Sequence, residues 1–203
     1  MRRVDVLISG GGMVGLPLGL ALAQGGLKTV IVDAAPAAKV LDPNFDGRVS
    51  ALAYASVRML NALGVWENLA PHAQPIREIL VTDGKTGQPA SPFSLHFDAQ
   101  EVGADSLGHI AENRHTRAAL YQAVDTAANL ELVAPAMVKS LTVDAGGAVA
   151  RLSTGEEIAA QLVVAADGRE SPLRAQMGVQ VIGWSYPQTG IVATVEHERP
   201  HNG

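Results

Sequence analysis

The stretch LISGGGMVGLPLGLALAQGG, residues 7–26, decides the fold. Val4 to Ile8 reads as a short buried parallel strand, mostly apolar and rich in β-branched residues. Gly10, Gly12 and Gly15 then set the spacing G-x-G-x-x-G. From about Met13 to Gln24 the residues are small or aliphatic on every side, which predicts a buried helix with Pro17 in its first turn. Lys28 to Val32 reads as a second strand, and Asp33 follows it.

Each part has a physical task. Gly10 allows a tight turn, Gly12 lets the backbone approach a pyrophosphate, and Gly15 permits close helix–strand packing. The helix N-terminus offers unpaired N–H groups and a partial positive charge to phosphates. Asp33 stands where a carboxylate accepts hydrogen bonds from a ribose diol. Strand, loop, helix, strand and acid in this order point to dinucleotide binding. A structural glycine turn in another α/β fold is the competing reading, and the loop alone does not separate FAD from NAD.

Working outward, DPNFDGR (42–48) is turn-like, and SALAYASVRMLNALGVW (50–66) reads as one helix with Val57, Leu60 and Leu63 on its apolar face and Gly64 closing it. Ile79–Val81 and Phe93–Phe97 look like strands, with a turn at Asp83-Gly84. Asn113 opens a helix to about Ala127, its Thr116, Leu120 and Val124 on one face. Leu130–Val133 is a short strand. Met137–Val143 and Ala148–Leu152 form a hairpin through Asp144–Gly147. Leu162–Ala166 is a further buried strand that meets Asp167-Gly168, after which Ser171 caps and Pro172 begins a short helix ending near Gly178. This second strand–turn–helix puts another acid and glycine at a turn, suited to a second contact on the same dinucleotide or simply to a good αβ turn. Beyond Val179 the pattern suggests longer strands with aromatics, including Gly190–Val195, so a domain boundary is expected near 178: residues 1–178 as a nucleotide-binding domain and 179–203 as the start of another.

Composition narrows the function. The 203 residues are 47% hydrophobic and carry a net charge of −5, which argues against a general nucleic-acid binder. There is no cysteine, so disulfides and thiolate sites are excluded. The opening MRRVDVLISGGG does not read as a signal peptide, and no run reaches the roughly 18 apolar residues of a membrane span. Cytoplasm is the expected compartment, with peripheral membrane contact left open. The six histidines show no metal-ligand spacing. Ser9, Ser50 and Ser171 lack a G-x-S-x-G elbow. Trp66 is expected to pack a helix end, and Trp184 and Tyr186 to pack in a sheet rather than border a pocket.

The chain also resembles the flavin-dependent aromatic hydroxylases of the para-hydroxybenzoate hydroxylase type, most nearly the ubiquinone-biosynthesis hydroxylases that act on polyprenylated phenols. The residues that carry this are GGGMVG (10–15), DGRVSAL (46–52) with LGVW (63–66), AEN (111–113), VVAADGRESPLR (163–174) and YPQTGIVATVEHERPHNG (186–203). The resemblance implies an α/β, Rossmann-like FAD-binding domain with inserted antiparallel strands, cut off at the start of a substrate domain. It implies FAD as cofactor and NADPH or NADH as co-substrate, with dioxygen hydroxylating a polyprenylated phenol; a ubiquinone-biosynthesis complex is a further implied partner. Position by position, Gly10, Gly12, Met13, Val14 and Gly15 match the loop over the FAD pyrophosphate, and Asp33 the acid on the adenosine ribose. Arg48 matches an arginine beside the diphosphate and flavin. Asn113 falls near a polar position contacting FAD, with Arg114 or Arg117 as alternatives. Val138 offers backbone to the adenine, and Asp167, with Gly168 and Arg174, matches an Asp-Gly motif linked to FAD and NADPH. The family's chains are longer, with a later Gly-Asp motif that this sequence lacks. A truncated chain is therefore expected, and a non-catalytic cofactor-binding or apo fragment, or a related flavoprotein reductase, stays open beside the monooxygenase. No acid–base pair is expected among these residues.

Overall fold

A computed structural model describes residues 1–203 except 45–46, 85–86, 88, 90, 192, 194–195 and 203. Along the chain lie β1 (Arg2–Ser9), α1 (Gly15–Gln24), β2 (Thr29–Val32), α2 (Ala37–Val40), β3 (Val49–Ala53), α3 (Tyr54–Ala62), α4 (Trp66–Leu69), β4 (Ala73–Ile76), β5 (Glu78–Thr82), β6 (Ser94–Asp98), β7 (Gly108–Glu112), α5 (Asn113–Thr126), β8 (Leu130–Val133), β9 (Val138–Asp144), β10 (Gly147–Leu152), β11 (Glu157–Ala165) and α6 (Pro172–Gln176). The chain divides into two compact units, one made of Met1–Asn44 and Thr116–Ile191, the other of Phe45–His115 and Val192–Gly203.

The first unit is built on a six-stranded sheet in the order β8-β2-β1-β11-β10-β9. β8, β2, β1 and β11 run parallel, while β10 is antiparallel to both its neighbours. β1 and β2 are apolar because both faces are covered: Leu7 and Ile8 are 0% exposed, and all four residues of β2 are buried, whereas β11, expected to be buried over Leu162–Ala166, has Leu162 56% exposed. Burying such side chains contributes about 1.5–3 kcal/mol each. The expected strand at Leu130–Val133 and the hairpin through Asp144–Gly147 are both present. In that turn the Gly146 amide donates to Asp144 Oδ1 over 2.7 Å.

α1 differs from its expectation in two ways. It begins at Gly15, not near Met13, because residues 10–14 are held as a loop. It is also not buried on every side: Gly15, Leu16, Pro17, Gly19, Leu20 and Ala23 are buried, while Ala21 and Gln24 are exposed. A helix laid on a sheet covers only the face that meets the strands, and alanine tolerates either environment. The approach is close at Gly19, where a Cβ would stand 2.6 Å from Ile31 Cδ1.

The second unit holds a three-stranded antiparallel sheet, β3-β7-β4, and a separate hairpin of β5 and β6. Here the sequence reading of one helix over 50–66 fails. Val49–Ala53 is a strand paired with β7 from Val49↔Glu112 to Ala53↔Gly108, and the helix starts only at Tyr54. The alanine-rich composition favours helix, but the ladder to a segment distant in sequence overrides local propensity. β4 and β7 carry no clear local signal. Pro75 fits β4 because β4 is an edge strand. Leu60 and Leu63 are buried beneath α3, and Gly64, at φ +75°, ends it with its amide on the Asn61 carbonyl.

After α6 the described residues form no strand. A strand exists through its partners, and the described part of 179–203 pairs with none. Of the expected strand Gly190–Val195, residues 192, 194 and 195 lie outside the described residues, as does Asp46 of the DGRVSAL motif. Trp184 and Tyr186 do not pack in a sheet; both are exposed and meet edge to face at 6.3 Å.

Candidate functional site

The glycine loop joins β1 to α1 at the ends of the parallel strands, where open α/β sheets place their ligands. Its three glycines do different work. Gly10 has φ +110°, and a Cβ there would sit 2.2 Å from the Ala166 carbonyl oxygen. At Gly15 a Cβ would meet the Gly10 carbonyl oxygen at 1.8 Å and Ile8 Cγ2 at 3.4 Å, so this glycine lets the helix start against the loop. At Gly12 a Cβ would meet nothing within 4 Å. Packing inside the chain therefore accounts for Gly10 and Gly15, and leaves Gly12 beside open space.

That space is a cleft of about 330 Å³ lined by Gly10, Gly12, Asp33, Val138, Asp167 and Gly168, among others. It brings together five of the residues singled out from sequence: Gly10, Gly12, Asp33, Val138 and Asp167. Met13, Val14 and Gly15 belong to the loop and helix start without lining the cleft. Val14 is exposed at the N-cap of α1, which has no side-chain cap and no acid in its first turn. The helix end thus remains available to an anion.

Asp33 follows β2, and its backbone is fixed by bonds to the far side: its amide to the Val133 carbonyl and its carbonyl to the Ala136 amide. Its side chain accepts from the Gly11 amide (Oδ2, 2.5 Å) and the Ala35 amide (Oδ1, 2.7 Å). Each oxygen keeps a further lone pair, so the oriented carboxylate can still take hydroxyl donors. Gly11 is the residue that sequence reasoning missed. A Cβ there would lie 3.0 Å from Asp33 Cβ, so the loop and the acid constrain each other. The run of three glycines was a signal, but the G-x-G-x-x-G spacing treats the middle one as variable.

Asp167 closes the cleft from the turn that follows β11. Its Oδ2 accepts from the Leu173 amide at 3.3 Å, and its Oδ1 is buried with no hydrogen-bond partner among the described residues. A buried carboxylate oxygen without a donor is costly, and a ligand hydroxyl in the cleft would satisfy it. The expected cap is present as well: Ser171 Oγ accepts from the Arg174 amide at 3.0 Å, with Pro172 at the first helical position. Arg174 does not line the cleft; its guanidinium donates to the Arg169 carbonyl.

Arg48 and Asn113 lie in the second unit, next to one another. The Asn113 amide donates to the Arg48 carbonyl over 3.0 Å, and Ser50 Oγ donates to Asn113 Oδ1 over 2.7 Å. Arg114 pairs with Glu112, and Arg117, in the first unit, donates to the Val40 carbonyl. Trp66 lies edge-on to His109 at 4.8 Å rather than merely closing a helix end. No three His, Cys, Asp or Glu side chains among the described residues are placed to hold a metal ion.

Three consecutive glycines at the cleft, an unshielded helix N-terminus and two carboxylates facing the same cleft define a nucleotide-binding α/β domain of the Rossmann kind. The residues fit a dinucleotide: Gly12 supplies room for a pyrophosphate, and Asp33 and Asp167 Oδ1 supply acceptors for hydroxyls. The FAD binding domain family matches residues 3–201, and the chain belongs to it. It is 42% identical over 202 residues to the ubiquinone hydroxylase UbiL of Rhodospirillum rubrum, matching 100% of this chain and 46% of that protein. It is 36% identical over 199 residues to the 3-demethoxyubiquinol 3-hydroxylase of Escherichia coli, matching 97% of this chain and 49% of that protein. The chain thus spans about half the length of the curated relatives it matches. Among solved structures, PqsL of Pseudomonas aeruginosa, in complex with 2-aminobenzoylacetate, superposes with a TM-score of 0.72 at 22% identity over 92% of this chain and 49% of that one. The flavin-dependent monooxygenase PieE, in complex with FAD and substrate, does so with a TM-score of 0.68 at 23% identity over 87% of this chain and 32% of that one. These likenesses confirm the α/β fold.

Proposed function

We propose that the chain is the FAD-holding part of a flavin-dependent monooxygenase that hydroxylates a polyprenylated phenol in ubiquinone biosynthesis, with NADPH or NADH as reductant. The observation that carries this reading is the cleft between Gly12, Asp33 and Asp167, taken with relatives named for ubiquinone hydroxylation. The bound flavin would supply the redox and oxygen chemistry. The chain's own residues hold and orient it. Gly12 admits the pyrophosphate beside the N-terminus of α1, Asp33 accepts from the adenosine ribose, and backbone around Val138 faces the adenine. Asp167 accepts from a hydroxyl of the cofactor. Met13 and Val14 complete the loop that carries the pyrophosphate, and Arg48 and Asn113 are assigned to the flavin end.

Residues 1–178 form the FAD-binding domain on this reading, and 179–203 belong to the substrate-binding part; Ile182, Trp184 and Tyr186, apolar and exposed, support that division. None of the described helices is long and apolar enough to cross a membrane. A polyprenyl substrate is itself lipid-soluble, so cytoplasmic protein meeting it at a membrane surface fits the chemistry. The purified chain is expected to carry yellow flavin or to take it up with fluorescence quenching, without oxidising NADPH. A colourless chain that binds no FAD overturns the cofactor assignment. Formation of a hydroxylated polyprenylphenol by the protein that contains this chain tests the reaction.

A further inference from the structure

Ala136, Met137 and Val138 line the same cleft as Asp33, and the Ala136 amide donates to the Asp33 carbonyl over 2.7 Å. Ala136 and Val138 are buried in the core of the sheet, whereas Met137, between them, is 41% exposed. Its backbone has no such freedom. The Met137 amide donates to Ser153 Oγ over 3.0 Å, and the Ser153 amide donates back to the Met137 carbonyl over 2.8 Å. Ser153 directly follows β10, whose last residue, Leu152, pairs with Val138. The Met137 amide has no second hydrogen to give, so the residue offers a ligand its side chain rather than a donor. An exposed thioether on a clamped backbone is an apolar surface prepared for a partner. Its unbranched chain adapts to a flat ring, and its sulfur packs favourably against aromatic systems.

We propose that Met137 is a contact residue for the base of the bound dinucleotide and that Ser153 is its positioning residue. The thioether covers one side of the purine ring, and the paired hydrogen bonds to Ser153 keep it at the cleft. The location follows from Asp33. The base is joined to the ribose, and the segment tied to the Asp33 backbone is an apolar wall beside the acid that takes the ribose diol. Gly12 and the start of α1 are left to the phosphates. The proposal rests on the reading of the cleft as a dinucleotide site. It adds to that site a side chain and a supporting hydroxyl from outside the glycine and Asp-Gly motifs.

Isothermal titration of the whole chain with FAD and with ADP, which carries the same base, ribose and pyrophosphate without the flavin, tests it. Met137→Ala is expected to weaken both ligands by about tenfold and by the same factor, because the lost contact lies on the half they share. Met137→Leu, which keeps the volume, is expected to stay within about threefold. Ser153→Ala is expected to weaken both ligands by about threefold in the unsubstituted chain, and to add no loss when Met137 is already alanine. Ser153→Thr, which keeps the hydroxyl, is expected to bind as the unsubstituted chain does. Constants for FAD and ADP that Met137→Ala leaves unchanged overturn the contact, as does a loss for FAD without a loss for ADP. A Ser153→Ala loss that persists in the Met137→Ala background overturns the positioning role. A chain that binds neither FAD nor ADP removes the cofactor reading and this proposal with it, whereas a chain that binds both and ignores Met137 removes this proposal alone.

Discussion

The Gly11 amide donates to Asp33 Oδ2 over 2.5 Å, across 22 positions of sequence. The glycine loop and the acid at the end of β2 are therefore one construction. Asp33→Ala removes the acceptor for both Gly11 and Ala35, so the loop loses its tether as well as its ribose ligand. FAD affinity is expected to fall by about 1–3 kcal/mol, with a smaller loss of stability. Isothermal titration of the variant with FAD checks this, and an unchanged dissociation constant contradicts it.

The glycines separate fold from function. Gly12→Val places its side chain in open space and is expected to change stability by less than about 0.5 kcal/mol. It is expected to weaken flavin binding by at least about tenfold, because the side chain occupies the pyrophosphate's approach. Gly15→Ala and Gly10→Ala drive a Cβ into backbone and are expected to destabilise by about 2 kcal/mol or more. Urea unfolding paired with flavin fluorescence distinguishes the two classes. A Gly12→Val chain that binds FAD normally would remove the site.

Around α6 the same separation is possible. Ser171→Ala takes away a cap that serves only the helix, and is expected to cost about 1 kcal/mol with flavin affinity unchanged. Asp167→Ala removes both a bond to the Leu173 amide and the unpartnered oxygen in the cleft, so it is expected to lower flavin affinity too. Equal flavin affinity in the two variants would assign Asp167 to capping alone.

Local chemistry explains what was readable from sequence. β1, the loop, α1, β2 and Asp33 follow one another with short connections, so each signal predicts the next. The same holds for the β9–β10 hairpin and for Ser171-Pro172. What stayed hidden depends on residues far apart in the chain. Val49–Ala53 is a strand because of Gly108–Glu112. Gly11 matters because of Asp33, 22 positions further along the chain. In the site, the acceptors and glycines were legible, and the groups that orient them were not.

Two imidazoles give the chain a pH dependence whose sign follows from their surroundings. Burial pushes His109 down, and pushes His115 down with help from the stacked His72, 4.0 Å away, and from Arg114; Glu112 opposes. A histidine whose pKa is lower folded than unfolded is neutral in the native state and takes up its proton more readily when unfolded. Its contribution is complete above the ordinary value of 6.5 and is lost as the pH falls below it. Glu131, held down by its hydrogen bond with Arg2, behaves separately: its contribution is lost only as the pH drops below 4.5. The urea midpoint is therefore expected to decline from about pH 7.5 to about pH 5, before carboxylates protonate. His109→Gln and His115→Gln are each expected to flatten that decline. A midpoint that rises over the same window, or a slope that neither variant alters, contradicts the assignment.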